Sequence, residues 1–186
     1  MNVILNNLHW ISFNVLLAIF PIPFGYLMLK SKNSIGKIIF GLIWLFFLPN
    51  SLYLITDIFH IIPDAKEIRG FYLTIDFVIY FVLILIGILT FITSEYFFEK
   101  AFLRKKPYKK YDFLILFVLN LLVGFGIVLG RFQTVNSWEV ITHPSNVIAK
   151  TLGIFTSQNL IFYVILFGIV SQITYYSFRK LVAKKI

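Results

Sequence analysis

The sequence predicts an all-α membrane protein, a bundle of five transmembrane helices, and three observations carry that prediction. Hydrophobic residues make up 59% of the 186 positions and charged residues 13%, whereas ordinary soluble domains are about 25% charged. Five apolar stretches are each long enough to cross about 30 Å of hydrocarbon, which takes roughly 20 helical residues at a rise of about 1.5 Å. The connections between them alternate between rich and poor in Lys and Arg, the signature of a chain that crosses a membrane repeatedly.

The stretches fall at 6–29, 38–60, 71–97, 113–131 and 158–178 and form one membrane domain over 1–186. The first has neither a basic segment before it nor a small-residue cleavage site after it, so it reads as a retained helix and not as a signal peptide. Thirteen of the Lys and Arg residues lie in 30–37, 98–112 and the C-terminal run, against four in 61–70 and 131–157. With five spans the three basic regions share one side, which the positive-inside rule makes cytoplasmic. The expected location is therefore a bacterial plasma membrane, with the N-terminus outside and the C-terminus in the cytoplasm. The run Arg104-Lys105-Lys106-Pro107-Tyr108-Lys109-Lys110 reads as part of that topology signal. No nucleic-acid partner is expected; the lipid bilayer is the partner the composition implies, and the residues identify no protein partner.

Ionisable and amide groups inside hydrocarbon are costly unless paired, so each one at such depth calls for a reading. On the second span Asn50, Tyr53, Asp57 and His60 are spaced to fall within an arc of about 80° on a helix. Pro49 precedes them and cannot donate to the carbonyl of Leu45, which predicts a bend there. On the third span Tyr72, Asp76, Tyr80, Gly87 and Ser94 share a face, with Asp76 about 7 Å below the outer end at helical rise. Asn120, Gly124 and Arg131 share a face of the fourth span. Gly126 and Gly130 make a small-xxx-small pair suited to close helix packing. Asp57, Asp76 and Arg131 belong to the outer ends of consecutive spans and are expected to converge in an ion-paired network.

In the connection after the fourth span, Asn136-Ser137-Trp138-Glu139 resembles a capping box that opens a short interfacial helix ended by Pro144, with Trp138 as a headgroup anchor. The same side chains are candidates to line a site. Candidate acid/base groups are Asp57, His60 and Asp76; candidate binding groups are Asn50, Tyr53, Arg131, Asn136, Ser137, Trp138 and Glu139. Asp57 and His60, three residues apart on one helical face, are also candidate ligands of a divalent metal, with Asp76 and His143 as further donors. Dinuclear carboxylate sites use two such pairs, and this chain carries one. His9 is placed at the interface beside Trp10. Cysteine is absent, which removes disulfides, thiolate nucleophiles and zinc–thiolate sites.

The segments Pro49-Asn50-Ser51-Leu52-Tyr53-Leu54-Ile55-Thr56-Asp57-Ile58-Phe59-His60 and Gly130-Arg131-Phe132-Gln133-Thr134-Val135-Asn136-Ser137-Trp138-Glu139 resemble domain of unknown function 1361, a family of uncharacterised bacterial multi-pass membrane proteins. The family pattern often has a second proline before the tyrosine, where this chain has Leu52. It often has a further cation after the Gly-Arg-Phe element, where Gln133 and Thr134 stand, and an Asp where Glu139 keeps the carboxylate. The resemblance implies a membrane protein and no established activity. Three functions remain open on the residues: a structural or accessory protein with an outward-facing polar network, a membrane-embedded and possibly metal-dependent enzyme acting on a lipid-linked or extracytoplasmic substrate, or a small-solute or proton-coupled transporter. No internal repeat supports the last.

Overall fold

The computed structural model describes residues 2–104 and 108–183. Lys105, Lys106, Lys184 and Lys185, part of the basic charge that oriented the chain, lie outside the described residues. Five segments are long and apolar enough to cross a membrane: Asn7–Lys30, Ser34–Glu67, Phe71–Leu103, Lys109–Arg131 and Gln158–Ala183. No strand occurs among the described residues.

The first span is two helices, α1 (Asn2–Ile19) and α2 (Pro21–Lys30). Pro21 cannot donate to the carbonyl of Leu17, so the helix restarts with proline at its opening position, where the missing N–H costs nothing. The second span begins with α3 (Ser34–Thr56), capped by the Asn33 side chain accepting from the Gly36 N–H at 2.7 Å. Pro49 lies inside α3, which stays helical to Thr56. A 3₁₀ turn (Asp57–His60) and α4 (Ile61–Glu67) then extend the span beyond the end at residue 60 that the sequence predicts. Gly70 turns the chain at φ 60°, the left-handed region open to glycine.

The third span is α5 (Phe71–Phe98), closed by a π-helical turn (Glu99–Leu103). After a 3₁₀ turn (Tyr108–Tyr111), α6 (Asp112–Arg131) forms the body of the fourth. The connection that follows holds α7 (Glu139–Thr142) and also α8 (Pro144–Thr156), a helix the sequence reading did not resolve, before α9 (Gln158–Ala183) makes the fifth span. Pro144 ends α7 as expected and also opens α8. Along α8, Ile148, Leu152 and Phe155 are exposed at spacings of four and three, a single apolar face.

Helix α3 lies at the centre, packed on α1, α2, α5 and α6, while α6 and α9 make the most extensive pair. Glycines permit these approaches. A Cβ on Gly126 would run into the Pro49 ring, one on Gly124 into the backbone of α9, and one on Gly87 would stand 2.5 Å from the Ser51 carbonyl. Gly130 meets the Tyr53 ring, so both members of the small-xxx-small pair face α3. The core runs through Trp44, Leu48, Leu52, Phe91, Ile92 and Val123. Outside it, Ile35, Leu42, Phe81, Phe113 and Phe162 are exposed on the bundle surface, a belt that lipid tails cover.

Gly126→Ala is expected to lower the melting temperature of the detergent-purified protein, because an added methyl against a proline ring is overpacking of about 1–3 kcal/mol. Gly153→Ala, whose Cβ would meet nothing within 4 Å, is expected to leave it unchanged or slightly raised. Equal melting curves for the two variants would contradict the α3–α6 packing.

Candidate functional site

At the end of the bundle that carries Arg131, the junction of α3 with its 3₁₀ turn places Asp57 in the interior, with no exposed surface. Its Oδ2 accepts from Asn14 Nδ2 on α1 at 3.2 Å, and its Oδ1 lies 3.7 Å from Arg131 Nη1. That same Nη1 stands 3.2 Å from His60 Nε2; guanidinium only donates, so the imidazole nitrogen accepts. The His60 ring leans on Trp10, centroids 4.8 Å apart, and the guanidinium lies 5.9 Å from the rings of Tyr53 and Phe59. Arg131 sits in the last turn of α6, where a cation also meets the negative end of the helix dipole. Arg131 thus ties α6 to α3 and the 3₁₀ turn, and Asp57 and His60 extend the network to Asn14 and Trp10 of α1.

Asp76 is buried as the sequence predicts, but its neighbour is another acid. Its carboxyl lies against that of Asp64, which accepts from Asn7 Nδ2 and from the Tyr80 hydroxyl, each at 3.0 Å. The expected three-way convergence is therefore a direct Asp57–Arg131 pair with an adjoining Asp64–Asp76–Tyr80 group. The difference follows from the second span running on to Glu67, which carries Asp64 into the bundle. Its signal was present, since Asp64 continues the stripe four residues after His60. Tyr72, placed on the same face, is exposed.

Beside this network a cleft of about 360 Å³ opens between α1, α3, α6 and the loop after α6. Asn14, Asn50, Tyr53, Asn136 and Ser137 give it polar walls, and Phe46, Leu122 and Val140 are among its apolar ones. Asn50 Nδ2 donates to the Phe47 carbonyl at 3.0 Å and to Ser137 Oγ at 3.3 Å, which links α3 to the loop. Asp57, His60, Asp76 and Arg131 are not among the lining residues; Asn14 and Tyr53 form the wall between network and cleft.

Asn136 donates to Glu139 Oε1 from its backbone N–H at 2.9 Å and from its side chain at 2.8 Å. These bonds hold the Glu139 carboxyl below the usual carboxylate range, the backbone bond most of all. Among the described residues this is one arm of a capping box, because α7 starts at Glu139 itself and not three residues before it. Trp138 is 45% exposed and meets the edge of Phe13 at 5.3 Å. His9 is exposed, and His143 pairs with the Thr142 hydroxyl at 3.0 Å.

A second polar centre lies nearer the other end. Asn120 Nδ2 donates to Glu95 Oε1 at 3.0 Å and to Gln172 Oε1 at 2.7 Å, all three side chains buried. Ser94 receives the indole N–H of Trp44. Sequence reasoning found Asn120 and Ser94 and missed Glu95, Glu99 and Gln172. An acid inside the apolar 71–103 stretch was the available signal.

Among the described residues no three His, Asp or Glu side chains are grouped to hold a metal ion. Between Asp57 Oδ1 and His60 Nε2, the candidate ligand pair, the structure places Arg131 Nη1.

The model of a family of proteins of unknown function, DUF1361, matches residues 13–174. The chain belongs to this family. The match covers both motif segments and part of every span, and with five candidate membrane helices it makes the protein a multi-pass member of DUF1361. Comparison with curated proteins and with solved structures gives no match. Within this member of the family, the motif residues divide between two places: Asp57, His60 and Arg131 form the ion-paired network, while Asn50, Tyr53, Asn136 and Ser137 line the cleft.

Replacing Asp57 with Ala leaves the Arg131 guanidinium, 19% exposed, without its carboxylate, and is expected to cost about 3–5 kcal/mol. In a double-mutant cycle with Arg131→Met the two losses are expected to be strongly non-additive, the double variant being more stable than their sum. Additive losses in thermal unfolding would show that the pair contributes nothing.

Proposed function

We propose that this is a structural or accessory protein of a bacterial plasma membrane, without a reaction of its own, in which the Arg131 network holds the outer ends of the helices in one arrangement. The observation that supports this reading most is the shared guanidinium nitrogen. His60 Nε2 accepts from Arg131 Nη1 at 3.2 Å and Asp57 Oδ1 is ion-paired with the same nitrogen at 3.7 Å, and neither residue lines the cleft. Acid/base work needs a group within hydrogen-bond reach of a substrate, and a buried carboxylate or a half-buried imidazole already facing a cation offers less of that than an open one.

A second reading keeps the chain an enzyme acting on a lipid-linked or extracytoplasmic substrate. The favouring observation is the cleft, whose polar walls adjoin the network through Asn14 and Tyr53 and whose apolar walls suit a lipid chain. The two readings part at His60→Gln. Glutamine can still accept from Arg131 but cannot exchange a proton, so the accessory reading expects full rescue of a deletion strain at matched protein abundance. Lost rescue with unchanged abundance and melting would establish the enzymatic reading in its place.

The proposed orientation puts α7, α8 and the Arg131 end outside, with the exposed Ile148, Leu152 and Phe155 of α8 lying along the membrane interface. The chain has no cysteine, so single substitutions report directly. Ile141→Cys, at a site 85% exposed, is expected to react with an impermeant maleimide in intact cells, and Lys109→Cys only after permeabilisation. The reverse pattern would invert the topology.

A further inference from the structure

At the end of the bundle opposite Arg131, a cavity of about 530 Å³ opens where the π-helical turn after α5, the 3₁₀ turn before α6 and the last turns of α9 meet. Among the described residues four cationic side chains line it, Arg104, Lys109, Arg179 and Lys180, against the two carboxylates Glu99 and Asp112, which leaves these six with a net charge of +2. Its two arginines are held in place from beneath. Glu99 pairs with Arg104 at 3.7 Å and with Arg179 at 3.5 Å, and receives the Tyr175 hydroxyl. Arg104 donates to the Tyr96 hydroxyl at 2.7 Å and lies 4.8 Å from that ring's centroid, while Arg179 lies 4.3 Å from the centroid of Tyr176.

We propose that this cavity binds a phosphomonoester, with the two guanidinium groups holding the phosphate oxygens and Lys109 and Lys180 supplying the outer charge. The reasoning runs from charge and preorganisation together. A phosphomonoester carries about −1.5 to −2 charges at neutral pH, which the cationic excess of the described lining complements. Guanidinium groups already fixed by a carboxylate and aromatic faces give up little freedom when they form paired bonds to phosphate oxygens. Position adds a source. Arg104 directly follows the Phe71–Leu103 span and Arg179 lies in the last turns of the Gln158–Ala183 span, the depth at which phospholipid headgroups sit and at which basic pockets between helices take them. The same chemistry would accept a soluble phosphate ester.

Native mass spectrometry of the full chain in detergent tests this with phosphatidic acid, phosphatidylglycerol and phosphatidylcholine, and separately with inorganic phosphate as competitor. Phosphatidic acid is expected to bind in preference to the other two. Lys109→Gln combined with Lys180→Gln, at two exposed lysines, is expected to weaken it roughly tenfold or more, at about 1 kcal/mol per surface cation. Arg104→Gln combined with Arg179→Gln is expected to abolish the preference, and the lysine variant keeps the test informative if the arginine variant does not fold. Displacement by inorganic phosphate at millimolar levels, with no preference among the lipids, would assign the site to a soluble phosphate. Equal binding of all three lipids with no effect of phosphate, or binding unchanged in the lysine variant, would overturn the proposal.

Discussion

The contact of Arg131 with Asp57 and His60 is the constraint on which the Arg131 end of the molecule depends. A carboxylate with no exposed surface is tolerable in a membrane only if a cation and hydrogen-bond donors meet it, and Arg131 and Asn14 supply them. Because the cation comes from α6, the amide from α1 and the carboxylate from the end of α3, satisfying one buried charge fixes three helices relative to one another. His60 and Trp10 close the same group from the side. The cleft then forms against a wall that cannot easily move.

Close packing carries that constraint through the rest of the bundle. Pro49, four residues before the polar stripe reaches Tyr53, lies against Gly126, and Tyr53 against Gly130. The rigid side chains of α3 therefore sit on the two places where α6 has no side chain to oppose them. Gly124 does the same for α9, next to the Asn120 amide that links Glu95 to Gln172. Polar ties at both ends and glycine contacts between them bring α3, α5, α6 and α9 together without the hydrophobic drive that water would provide, since lipid tails are as apolar as the helix surfaces.

How much was legible in the sequence follows from which physical signals are local. Span number and the Asp57–Arg131 pair could be read, because hydropathy and helical periodicity are properties of neighbouring residues. The break at Pro21 was equally local and was overlooked. Asp64 was hidden behind Pro63 in a segment with Lys66 and Glu67 that reads as a loop; only tertiary packing shows that the helix resumes after a 3₁₀ turn and carries Asp64 to Asp76. Helix α8 was obscured by its Ser, Asn, Lys and Thr residues, although Ile148, Leu152 and Phe155 held the helical period. The clamp of Arg104 and Arg179 on Glu99 joins residues 75 or more positions apart on one side, and no periodicity reports such a pairing.

The central claim, that one guanidinium bridges the carboxylate of Asp57 and the ring of His60, is tested most directly by solid-state NMR of the protein in lipid bilayers. Dipolar recoupling between isotope-labelled Arg131 guanidinium nitrogens and the Asp57 carboxyl carbon, with a parallel measurement to His60 Nε2, reads the two contacts without perturbing them. The account predicts measurable dephasing for both, since Nη1 lies 3.7 Å from Asp57 Oδ1 and 3.2 Å from His60 Nε2. Dephasing absent from both in a folded sample would place Arg131 elsewhere, and the bundle would then have to bury Asp57 by some other means.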